Sequence, residues 1–182
     1  MSWAETLITA QVDGTALTAA AAASAIPAAA KFTLPANFFQ RIGQQMAIRA
    51  SGRITSVITT PGTARFDVRF GAAVVFDSLA ILLDSVAAHT TVGWSLEILL
   101  TCRALGASAN LMGSGLWTSE DILGVPATAP KGSLSAVLPW NAAPAVGANF
   151  DSAASQVVDL FFTQTAATGS MTVHQYSLVS LN

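Results

Sequence analysis

Hydrophobic and polar residues alternate along most of this chain with the period of two that marks β-strands. The clearest case is Ala64–Phe70, where Phe66, Val68 and Phe70 point one way and Arg65, Asp67 and Arg69 the other. This predicts a half-buried strand with a charged outer face. Val92–Leu105 repeats the pattern, with Trp94, Leu96, Ile98, Leu100 and Cys102 on one face and Leu99 as an exposed or interface exception on the other. Further strands are expected over Met46–Ile58, Ala72–Phe76, Asn110–Ser119, Ser133–Leu138, Gln156–Thr165 and Met171–Leu181. Gly52 marks a bulge or kink in the first of these. Turns are expected at Pro61-Gly62 and Gly106-Ala-Ser-Ala, and loops over Glu120–Pro130 and Asn141–Asp151.

The first 44 residues read differently. Glu5–Thr18 reads as extended or weakly stranded, with a turn at Asp13-Gly14. Ala19–Ala30 is alanine-rich and interrupted by Ser24 and Pro27. Alanine favours helix, but small side chains also let an arm lie flat on a neighbouring surface, and the arm is the preferred reading. Phe32, Leu34, Phe38 and Phe39, around Pro35, would anchor its docking, with Asn37 a cap for a single turn.

Eight or nine short strands separated by Gly/Pro turns, without a long helix, predict an all-β protein. The expected form is an antiparallel jelly-roll β-sandwich of about eight strands, residues 45–182, preceded by an extended N-terminal arm and docking segment, residues 1–44. No cysteine pair brackets a tryptophan, which argues against an immunoglobulin-like sandwich.

Composition changes this picture in one respect. Of 182 residues, 52% are hydrophobic and only 10% charged, against about 25% in ordinary soluble domains. So few charges cannot cover a monomer, and burial of surface against other copies follows as an expectation. A net charge of −2, with one basic residue in the first 40, disfavours direct nucleic-acid binding. The longest charge-free stretches are broken by Gly, Pro or Asn or are mostly alanine, so no membrane span is expected. The N-terminus shows no basic, signal-like region.

Candidate chemistry is sparse. His89, in a connection, and His174, in a strand, lie in separate segments with no second ligand at metal spacing, and His174 reads as a solvent-facing or interface histidine. Asp77, Asp84, Asp121 and Asp151 are the calcium candidates, without an Asp-x-Asp-x-Asp-Gly run to support them. Gly113-Ser114-Gly115 falls one residue short of a nucleophile elbow and reads as close strand packing. Glu120-Asp121 reads as a solvated loop or helix start. Cys102 reads as a small core residue. Trp140, in the loop Pro139-Trp140-Asn141, is the best candidate for an exposed aromatic contact. No catalytic residues, cofactor or metal are expected, and the chain is read as non-enzymatic.

Several strings carry a resemblance. They are Arg49–Thr63 (RASGRITSVITTPGT), Phe66–Gly71 (FDVRFG), Val75-Phe76, Leu99–Gly106 (LLTCRALG), Asn110–Gly115 (NLMGSG), Pro144–Phe150 (PAVGANF) and His174–Asn182 (HQYSLVSLN). Together, over roughly residues 45–182, they resemble a group of small structural proteins of tailed bacteriophages. The resemblance implies a jelly-roll virion component, a head decoration or cement protein made in the host cytoplasm and placed on the capsid surface. Its implied partners are further copies of itself, as a homotrimer, and the major capsid protein. The alternative is a tail- or fibre-associated jelly roll that binds a host glycan or receptor. Phe32, Phe38, Phe39 and Trp140 are the expected binding or interface residues.

Overall fold

The alternating segments form twelve strands in a computed structural model that describes residues 3–124 and 133–181. They are β1 (Ala4–Thr9), β2 (Ala22–Ser24), β3 (Phe32–Leu34), β4 (Gln45–Ser56), β5 (Thr63–Phe70), β6 (Ala73–Asp77), β7 (Ile81–Leu82), β8 (His89–Ala104), β9 (Asn110–Leu123), β10 (Ser133–Leu138), β11 (Gln156–Gln164) and β12 (Ser170–Leu181). All their pairings are antiparallel. One sheet runs β1-β12-β4-β8-β9-β10. The other runs β2-β11-β5-β6, with β3 also on β11 and β7 also on β5.

The chain therefore visits the sheets in turn, and β1-β12-β4-β8 faces β2/β3-β11-β5-β6. This is the strand order of a jelly roll, extended on one side by the β9–β10 pair. The expected all-β sandwich is present. No helix among the described residues is long and apolar enough to cross a membrane.

Inward-facing residues of both sheets fill the core. Ile48, Trp94, Leu96, Ile98 and Trp117 come from one sheet, and Phe66, Val68, Phe70, Leu160 and Phe162 from the other, all buried. Cys102 belongs to this core as expected, and burial pushes its thiol pKa up. The native protein should therefore give no reaction with a thiol-specific disulfide reagent, and one equivalent after guanidinium unfolding. Fast reaction without denaturant would contradict the burial.

The N-terminal segment is extended, but it lies along its own sandwich. β1 pairs with β12, while β2 and β3 pair with different parts of β11. The small side chains do allow close approach, to this chain's own strands: the Gly14 N–H donates to the Val173 carbonyl at 2.8 Å, and the Ala25 N–H to Leu160 at 2.8 Å. Pro27 leads into a single helical turn at Ala28–Ala30. Asn37 caps no helix. It takes a left-handed backbone (φ 58°) in a turn closed by Phe38 N–H to Pro35 O, a conformation that asparagine tolerates better than most residues. Gly52 sits in β4 opposite Val173, where a side chain would strike the Thr172 carbonyl, and the bulge lies across from it in β12, between Val173 and Gln175.

Candidate functional site

The strand register lines up side chains across the outer face of the β1-β12-β4-β8-β9-β10 sheet. One row crosses all six strands: Thr9, Ser177, Arg49, Glu97, Leu116, Val137. A second row runs Gln175, Ser51, Ser95, Thr118, Ser135. A third runs Val179, Ala47, Leu99, Ser114. Alternation puts all three on one face because residues two apart on a strand share a side.

The first row is graded. It begins with hydroxyls on β1 and β12, passes through an Arg49–Glu97 ion pair with Nε–Oε1 at 3.1 Å, and ends in bare aliphatic side chains. Both members of the ion pair are about two-thirds exposed, so it orients the two side chains and adds little stability. Leu116 is 44% exposed and Val137 72%. Leu99 and Leu134 add further exposed apolar surface on the same strands, and Leu99 is the outward exception expected from sequence. The middle of the first two rows floors an open depression of about 590 Å³. β10 ends this sheet and is unpaired on its far side among the described residues.

The four expected contact residues do not assemble into one site. Phe39 is in the core, stacked on Phe70 at 6.2 Å and edge-on to Phe150 at 5.9 Å. Its role as an interface anchor is thereby corrected: the docking surface it fills belongs to its own chain. Phe38 meets Phe39 edge-on at 5.2 Å and is half-buried, as is Phe32. Trp140 lies in a different neighbourhood. Its indole is half-buried over Gly124, and its backbone N–H donates to the Ser78 carbonyl at 2.8 Å. It is not a free aromatic platform.

Gly113-Ser114-Gly115 packs closely, as expected. Gly113 leaves room for the Phe76 ring, and Gly115 lies against the Glu97 carbonyl. Ser114 is exposed opposite Leu99 and makes no side-chain hydrogen bond among the described residues. His174 pairs with Asp13, Nδ1 to Oδ1 at 3.0 Å.

No family model matches this chain, and no curated protein matches it. Among solved structures it is similar to the CBM2 module of the evolved Dit of Lactobacillus casei BL23 phage J-1, with a TM-score of 0.34 and 8% identity over 84% of this chain and 68% of that one.

Two expectations about acidic residues are overturned. Asp67 was expected on a charged outer face, but it is 1% exposed beneath Arg69, whose guanidinium it binds and which in turn lies 3.7 Å over the Phe161 ring. Glu120 and Asp121 were expected in a solvated loop. β9 instead runs on to Leu123, and Asp121 is fully buried; residues 125–130 of the expected loop lie outside the described residues. Burial pushes the Asp121 carboxyl pKa up. Burial also acts upward on Asp84, but hydrogen bonds from His89 and the Val86 and Ala87 amides outweigh it and hold that carboxyl below its ordinary value. Sequence spacing gave no sign that Asp84, His89 and Asp121 converge.

Proposed function

We propose that this chain is a non-enzymatic structural protein of a bacteriophage virion, which self-associates as a homotrimer and decorates or cements the capsid through contacts with the major capsid protein. The carrying observation is the aliphatic end of the six-strand row. Leu116 and Val137, with Leu99 on the same face, present apolar surface to solvent next to a sheet edge unpaired among the described residues. Exposed apolar patches of this kind mark protein contacts, and a chain with 10% charged residues has little else to keep such a surface single. The resemblance of residues 45–182 to tailed-phage structural proteins supplies the setting.

A double variant, Leu116→Lys with Val137→Lys, tests the contact. Light scattering should give three times 18.7 kDa for the unaltered chain and one 18.7 kDa monomer for the variant, because each buried lysine would need a partner the interface does not hold. An unaltered chain that stays monomeric at high concentration overturns the self-association. Failure to cosediment with phage heads overturns the capsid role.

The second reading, a tail or fibre module binding a host glycan, draws on the hydroxyl row Gln175, Ser51, Ser95, Thr118 and Ser135 beside Arg49–Glu97. All of these except Ser135 line the 590 Å³ depression, with donors and acceptors suited to a polar ligand. Glycan-array binding abolished by Arg49→Ala, but retained in Trp140→Ala, would select it.

A further inference from the structure

At one end of the sandwich four residues from four segments meet. Asp84 follows β7, His89 opens β8, Asp121 lies near the end of β9, and Ser56 ends β4 directly opposite His89. The His89 Nε2 is 2.9 Å from Asp84 Oδ2 and 3.8 Å from Asp121 Oδ1. One nitrogen and one oxygen from each aspartate lie within 4.8 Å of one another. Both carboxylates are held in place by backbone: Asp84 Oδ1 accepts from the Val86 N–H at 2.7 Å, and Asp121 Oδ1 from the Asp84 N–H at 3.2 Å.

Two atoms in this cluster are unexplained. Asp121 Oδ2 is buried with no hydrogen-bond partner among the described residues. The Ser56 hydroxyl, on a residue 2% exposed, lies close enough to that carboxylate to stabilise its charge, but the two lack hydrogen-bonding geometry, so it too is without a well-formed partner. Asp84 and Asp121 are 1% and 0% exposed. With both carboxyls ionised, one imidazole leaves negative charge uncompensated even when it is protonated, and a buried uncompensated charge is costly.

We propose that Asp84, His89 and Asp121 bind a divalent transition-metal ion of the zinc type. Two carboxylates, a neutral imidazole and a divalent cation sum to zero charge. A nitrogen ligand favours zinc over calcium, which prefers an all-oxygen shell. Ligands about 2.0–2.1 Å from a tetrahedral zinc stand about 3.3 Å apart, and the 2.9 and 3.8 Å separations bracket that value. The backbone amides bound to the carboxylates act as the orienting outer contacts such sites require. β9 belongs to one sheet, while Asp84 follows the β7 strand that pairs with β5 of the other. The ion would therefore tie the sheets together at this end.

The test uses the full chain stripped with a chelator and titrated with zinc chloride. One ion per chain should bind with low-micromolar or tighter Kd, and the melting temperature should rise by several degrees at about 100 times Kd. Asp121→Asn and His89→Gln should keep the β circular dichroism and lose the binding. A readout that needs no variant at the cluster comes from the two histidines, the only ones in the chain. Zinc should move one set of imidazole proton resonances and leave the other, and His174→Gln should remove the set that does not move. Absence of saturable binding, binding that survives both substitutions, or zinc moving only the His174 resonances would overturn the proposal.

Discussion

Phe66→Ala should cost about 3–5 kcal/mol, a large share of the roughly 5–15 kcal/mol by which a domain is stable. The Phe66 ring is fully buried. Its centroid lies 5.3 Å from Trp94, 5.1 Å from Trp117 and 5.2 Å from Phe162. Trp94 and Trp117 belong to the six-strand row sheet and Phe162 to Phe66's own, so this one ring fills the gap between the layers. Truncation leaves a void whose walls are held by strand ladders on both sides and collapse poorly. Phe66→Leu should recover most of the loss. Urea unfolding followed by tryptophan fluorescence would show a lower midpoint at unchanged slope. A loss under about 1 kcal/mol would mean that the layers close over the void.

Asp159→Ala is the second large effect, with an expected loss of about 2–4 kcal/mol. Asp159, on β11, is 7% exposed and accepts from the Ser24 hydroxyl at 2.7 Å, while its other oxygen lies 2.6 Å from Lys31 Nζ. Ser24 and Lys31 both belong to the N-terminal segment. The pair therefore clamps that segment to a central strand, and removing the carboxylate leaves the Lys31 ammonium, only 31% exposed, without its counter-charge. Trypsin should then cut after Lys31, a site the parent chain protects. Lys31→Met in the Asp159→Ala background should restore part of the stability, because the unpaired charge goes with it. Equal digestion rates for parent and variant would show that the segment is held by backbone pairing alone.

How much of this was legible in the sequence depended on whether inward positions carried apolar side chains. β5 and β8 were readable residue by residue, down to the outward Leu99. β9 was readable only as far as Ser119, because its inward positions continue Trp117, Ser119, Asp121, Leu123. Two polar residues facing the interior break the alternation that announces a strand. β2 and β3, three residues each, carry too few side chains to show a period, and β2 consists of small residues. Their pairing is set by β11, about 130 residues further on, and no local pattern encodes a partner at that distance. The Asp84–His89–Asp121 cluster was hidden for the same reason. His89 and Asp121 lie on the neighbouring strands β8 and β9 of one sheet, and Asp84 reaches them from the end of β7 on the other.

The strand order has a kinetic consequence. β11 and β12 are the last strands in the sequence, yet each lies inside its sheet: β11 between β2/β3 and β5, β12 between β1 and β4. During synthesis, every earlier strand that needs one of these two waits with an open hydrogen-bonding edge. Neither layer closes until residues 156–181 have left the ribosome. Pairings between residues so far apart in sequence fold slowly and leave strand edges open to misassembly in the meantime. A ribosome-bound chain halted before residue 156 should remain protease-sensitive throughout, and protection should arrive in one late step.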